Sequence, residues 1–183
     1  KTYYEKTNST FAHNFYFKQL QQWWRQTKTE LEKLPPATQT GAQTFGCLID
    51  GKAFVPPKFG TNAPNAFYQL VGGAYTLSIY GSTDGGPSLK SINIGCLDMP
   101  LIQETSYLLK EELSNNYFGE YNIGGGITFS GTSTTEFPGT LTITRFDPTN
   151  FIISGTFSFK GKEINTWETV EITEGRFDMQ YTN

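Results

Sequence analysis

Thr140-Leu-Thr-Ile-Thr-Arg-Phe-Asp-Pro-Thr-Asn-Phe-Ile-Ile-Ser-Gly-Thr-Phe-Ser-Phe159 is the stretch that decides the fold. Thr140–Thr144 alternates strictly between polar and apolar side chains, the period of a half-buried strand. Asp147-Pro-Thr-Asn150 has the composition of a type I turn. Beyond it Phe151, Ile153, Phe157 and Phe159 fall on one face, with Gly155 between them. Two antiparallel strands joined by a tight turn are expected.

The same period runs to the end of the chain, with one interruption. Val170 and Ile172 are even-numbered, whereas Phe177, Met179 and Tyr181 are odd. A one-residue slip would turn half of this strand inside out, so an extra residue near Glu174-Gly175, a β-bulge, is predicted. Upstream, Phe45–Ile49 and Lys52–Val55 flank Asp50-Gly51, a hairpin turn signal. Phe67–Val71 and Ala74–Tyr80 flank Gly72-Gly73, and Leu89–Cys96 follows the turn at Thr83–Pro87. Residues 101–123 are ambiguous: Leu101–Lys110 reads as a strand, yet Leu108–Asn115 equally suits a helical turn. The expectation is an all-β, antiparallel barrel or sandwich of about 8–10 strands.

The first part of the chain has a different period. Phe17, Leu20, Trp23, Trp24, Thr27, Leu31 and Leu34 recur at three- and four-residue steps, which predicts an N-terminal amphipathic helix over 14–33. Asn14 caps it and Pro35-Pro36 ends it. Residues 35–44 lack periodicity and read as a linker. Residues 1–43 are thus a helical leader and linker, and residues 44–183 an all-β domain. With Lys18, Arg25 and Lys28 beside its Trp pair, the leader suits a membrane interface, or docking on its own domain or a second copy.

Composition narrows the function classes. A chain of 183 residues buries about 70% of its unfolded surface, and fifteen Phe, ten Tyr and three Trp supply the bulk. No stretch approaches the roughly 20 apolar residues of a membrane-spanning helix. Residues 1–34 hold six basic and three acidic side chains, and the remainder eight and fourteen. An acidic body argues against nucleic acid, whose phosphates call for cationic contacts. Cys47 and Cys96 share strand parity with inward residues. Paired, they would close a loop worth roughly 4 kcal/mol; otherwise they are two buried thiols.

Leu34–Pro56, Thr140–Phe159 and Val170–Met179 resemble the start and the closing strands of a family of uncharacterised exported lipoproteins from Bacteroidetes. The resemblance spans about residues 34–181. It implies export to the periplasm or outer membrane and cell surface of a Gram-negative bacterium, with an acylated cysteine as membrane tether. It implies no activity and no cofactor. This chain departs from the pattern at Lys1–Gln26 and has no Cys before the linker; it begins at Lys1 without Met, as expected of a processed or excised form.

Most catalytic sets are missing. The one histidine, His13, lies in the leader, so a Ser-His-Asp or Cys-His arrangement lacks its base, and no zinc-ligand spacing exists. Gly124-Gly-Gly126 reads as a turn. Asp84, Asp98 and Asp147 are isolated turn aspartates or, less simply, calcium ligands. Glu163, Glu168, Glu171, Glu174 and Asp178 are the carboxylates available to a glycan hydrolase. Arg145-Phe-Asp147 and Arg176-Phe-Asp178 repeat one tripeptide, either local Arg–Asp pairs or equivalent ion-pair clamps.

Aromatic side chains are the binding candidates that remain: Tyr68, Tyr80, Tyr107, Tyr117, Tyr121 and Trp167, whose rings stack on sugars or cover apolar patches when exposed. The leading expectation is a non-catalytic cell-envelope binding or interaction module. Its partner would be an envelope protein, a glycan or a small apolar ligand. The alternatives are a carboxylate-dependent glycan hydrolase and a small-ligand carrier with a barrel cavity.

Overall fold

The computed structural model describes residues 28–83, 89–124, 129–163 and 165–183. Most of the expected leader helix and His13 lie outside these residues. Its last turn is a single 3-10 turn at Leu31–Lys33, followed by an extended Leu34.

Eleven strands form one continuous sheet: β1 (Thr44–Ile49), β2 (Lys52–Phe54), β3 (Asn65–Val71), β4 (Ala74–Ser82), β5 (Lys90–Leu97), β6 (Thr105–Lys110), β7 (Asn116–Ile123), β8 (Phe129–Thr132), β9 (Gly139–Asp147), β10 (Ile152–Glu163) and β11 (Thr169–Gln180). The three predicted hairpin turns are present. The ambiguous stretch becomes β6, a turn with Asn115 at φ 65°, and β7, rather than a helix. β8 has only four residues and no readable alternation.

β6, β7, β8, β10 and β9 pair in a closed ring of five strands, a small barrel. Every pairing in it is antiparallel except β6 with β7, which is parallel. Two wings extend the ring. β5, β4 and β3 continue outward from β7, and β11, β1 and β2 continue from β10. The wings meet again where Phe67 bridges Thr182. They also close on each other at Gly81, where a Cβ would stand 2.7 Å from the Phe45 ring. Only glycine permits that approach.

Alternation places one contiguous core inside. Phe45, Leu77, Ile79, Ile92, Ile94, Leu141, Ile143, Ile153, Ile172, Phe177 and Met179 are all essentially inaccessible. The predicted bulge is there: Phe157 pairs with Gly175 but Phe159 pairs with Ile172, and Gly46 pairs with Arg176 but Leu48 with Thr173. The extra residue lies at Glu174, which adopts φ 54°. Phe151 departs from expectation. It precedes β10 at φ 53° and is 40% exposed, so it does not join Ile153, Phe157 and Phe159 in the core.

Leu34 and the stretch read as a linker, residues 35–44, are strapped to the sheet. Leu34 is buried. The Asp178 carboxylate accepts from Thr38 Oγ1 (2.6 Å), Thr40 N (2.9 Å), Gly41 N (2.7 Å) and Ala42 N (3.2 Å). Arg145 Nη1 donates to the Gln39 carbonyl. The Gln43 amide bridges Pro64 O and Gln180 N.

The Cys47–Cys96 disulfide is not formed. Both thiols are free and inaccessible. Cys47 sits on β1 opposite Phe54, whereas Cys96 sits on β5 between Leu77 and Tyr117, and β1 and β5 are not neighbours. Burial pushes the Cys96 thiol up to about 11, and raises that of Cys47 further.

Candidate functional site

The β3–β4 hairpin, the β9–β10 turn and the end of the chain meet at one edge of the core. Each supplies a ring. Tyr68 on β3 stacks on Tyr75 of β4, with centroids 5.1 Å apart and planes within 6°. Phe146, from the end of β9, meets Tyr68 edge-on at 5.2 Å. Tyr181 stacks on Phe146 at 5.8 Å and receives the edge of Phe151 at 5.7 Å. Together with Gln69, Leu70, Pro148 and Asn183 these rings line an open groove of about 430 Å³.

The groove is anchored below and open above. The Tyr68 hydroxyl accepts from Leu101 N at 3.1 Å. Tyr181 is buried, and its backbone N–H donates to the Phe151 carbonyl at 2.8 Å. Burial raises the phenols of Tyr68 and Tyr181, so both are neutral near pH 7. Tyr75 and Phe151 stay 42% and 40% exposed, and Leu70 61%. No lining side chain is charged. A half-exposed ring pair over a rigid aromatic floor, flanked by two amides, suits a neutral ligand with an apolar face.

Of the aromatic candidates, only Tyr68 belongs to this groove. Tyr107 and Tyr117 stack on each other at 4.0 Å. Tyr107 Oη accepts from Ile102 N (2.7 Å) and Tyr117 Oη donates to Pro100 O (2.7 Å). Tyr117 and Tyr121 are each 3% exposed, core residues rather than surface rings. Their parity with Gly119 turns both inward, where Gly119 faces the Phe159 ring. Tyr80 is half-buried, opposite Asn65 and Asn93. Trp167 is 68% exposed at φ 63°, with Lys162 Nζ 4.0 Å above its ring. Tyr75, Phe146, Phe151 and Tyr181 were missed. Tyr181 carried a signal, its inward parity with Met179; the others depend on which hairpin ends adjoin.

Glu163, Glu174, Asp147 and Asp178 serve local structure. Glu163 accepts from Asn165 N (2.7 Å) and from Thr166 N, bonds that lower its carboxyl. Glu174 pairs with Arg176 at 3.0 Å, and Arg145 with Asp147 at 2.7 Å. The repeated tripeptides therefore differ: the first holds its own Arg–Asp pair, while Asp178 anchors the strap. Asp147 also accepts from Asn150 and Thr149, which hold its carboxyl well below the usual range. Asp84 lies outside the described residues. Among the described residues, no three metal-ligating side chains gather. Glu112, raised by desolvation and by Glu120, is the one described carboxyl that shifts upward, and it does not line the groove.

Among the described residues no helix is long and apolar enough to cross a membrane. Comparison with protein-family models, with curated proteins and with solved structures finds no match to this chain.

Proposed function

We propose that this chain is a non-catalytic binding module of the cell envelope whose aromatic groove takes a neutral glycan. The observation that carries the reading is the pairing of two half-exposed rings, Tyr75 and Phe151, with a floor of buried Tyr181 and half-buried Tyr68 and Phe146 in a groove that has no charged lining. Sugar rings present an apolar C–H face to an aromatic ring and hydroxyls to amides such as Gln69 and Asn183. No charged side chain lines the groove to pair with a charged ligand. The envelope setting rests on the resemblance of Leu34–Pro56 and the closing strands to exported lipoproteins.

The carboxylates support binding over hydrolysis. A general acid needs a raised pKa beside its substrate, and none of the groove-lining residues is Asp or Glu. The test is calorimetric titration with a panel of neutral oligosaccharides, followed by chromatography of the recovered sugar. The reading expects saturable binding of at least one member and intact sugar afterwards. Shortened sugar would show that the module is an enzyme.

A further inference from the structure

A second cleft opens where the β1–β2 turn, the start of β8 and the tip of the β10–β11 hairpin close over one end of the core. Asp50, Tyr121, Phe129, Glu168 and Val170 line about 430 Å³ there. We propose that this cleft binds a primary alkylammonium group, with the Tyr121 hydroxyl and the Asp50 and Glu168 carboxylates as acceptors and the half-buried Phe129 ring as its wall.

Three observations converge on that chemistry. First, Tyr121 is 97% buried as a residue, since only 3% remains exposed, and its hydroxyl bonds to no other described residue while it lines the cleft. Among the described residues the buried side-chain atom left without a partner is Asn122 Oδ1, so the Tyr121 hydroxyl opens on the cleft, where a polar ligand can reach it. Second, the two carboxylates have no cation: the four ion pairs of the described residues involve neither Asp50 nor Glu168. Lys162, on the neighbouring strand, is engaged by Glu136 at 2.6 Å and by the Trp167 ring. Third, the half-buried Phe129 ring, packed 5.8 Å from Tyr121, lines the cleft, and aromatic faces attract ammonium groups.

The Asp50 carboxylate and the backbone of Glu168 are held in place. Asp50 N donates to Glu171 O and Glu171 N returns a bond to Asp50 Oδ1, both at 2.9 Å, which fixes the turn and leaves Oδ2 for a ligand. Glu163 N donates to Glu168 O at 2.9 Å. Burial, and then the nearby Asp50 charge, push the Tyr121 phenol up to about 12, so it stays protonated and still accepts through its lone pairs. A primary ammonium has three N–H donors and no acceptor, which matches three acceptors. A quaternary ammonium has no N–H to give, and an anion would face two negative charges.

The test is an NMR titration of the full chain with n-butylammonium, following the Tyr121 and Phe129 ring protons, with n-butanol as neutral isostere and tetramethylammonium as the cation without N–H. Butylammonium should bind saturably and about tenfold tighter than either control. Glu168→Gln, at an exposed position, and Tyr121→Phe, which removes a hydroxyl with no described partner, should each weaken it about fivefold without changing the amide spectrum. Tighter binding of Nα-acetyl-lysine methylamide than of butylammonium would identify a polypeptide lysine as the source; equal binding would identify a small amine. Absence of saturation, parity of butylammonium with butanol or tetramethylammonium, or unchanged affinity in both variants would overturn the proposal. The glycan groove shares no residue with this cleft and stands or falls separately.

Discussion

Six hydrogen bonds converge on the Asp178 carboxylate: two from backbone N–H groups and two from hydroxyls at its Oδ2, and one each from Gly41 N and Ser154 Oγ at its Oδ1. Burial alone would raise its carboxyl, but these donors outweigh it and hold the group at about 2 against the usual 3.8. The folded-state pKa is depressed, so the stabilisation is complete above about pH 4 and is lost as pH falls toward about 2. Asp178→Ala should cost about 3 kcal/mol in urea unfolding at pH 7, because it leaves the buried Ser154 hydroxyl and several half-buried donors of the strap unpaired. Asp178→Asn should also remove most of the loss of stability between pH 4 and 2, measured as the urea midpoint against pH; an unchanged acid profile would show that other carboxylates dominate. Sequence did not reveal this role. An Arg-Phe-Asp repeat suggests ion pairs, and nothing local distinguishes Asp178 from Asp147. The difference lies in Thr38 and Thr40, more than 130 positions away, which only the folded chain brings near.

At the scale of elements, the bulge in β11 keeps one strand facing the core along its whole length. Val170 and Ile172 point inward before it, and Phe177, Met179 and Tyr181 after it. Gly175 is set against Phe157: a Cβ there would stand 2.5 Å from the Phe157 ring and carbonyl. Gly175→Ala should therefore destabilise the protein by about 2 kcal/mol in denaturant unfolding. Deletion of Glu174 should be far worse, since it turns Phe177, Met179 and Tyr181 to solvent; soluble, cooperatively unfolding protein from that deletion would contradict the register. The strands and the bulge were legible because side-chain period alone encodes them. β8 was not, since four residues carry too little alternation, and neither was the outward turn of Phe151, which a positive φ after the Asp147–Asn150 turn decides.

Across the whole molecule, eleven strands close a five-stranded barrel and then wrap two wings until β3 touches the end of the chain. That contact assembles the aromatic groove from residues as distant as Tyr68 and Tyr181. Sequence found aromatic excess but not its location. Parity tells which rings turn inward, yet pairing order decides which hairpin ends adjoin, and the parallel β6–β7 step is invisible to local pattern. The proposed role of the groove rests on this placement. Replacing Tyr75 and Phe151 together removes the two half-exposed rings and little of the core, so Tyr75→Ala/Phe151→Ala should unfold at nearly the wild-type midpoint. Its affinity for a bound glycan should fall about thirtyfold, as roughly 2 kcal/mol of ring contact is lost.

The most direct measurement is a backbone and aromatic-ring NMR titration of the wild-type chain and of that double variant with neutral oligosaccharides. The groove account predicts shifts confined to the surroundings of Tyr68, Tyr75, Phe146, Phe151 and Tyr181 in the wild type, and their loss in the variant. Shifts centred elsewhere, or equal in both proteins, would contradict it.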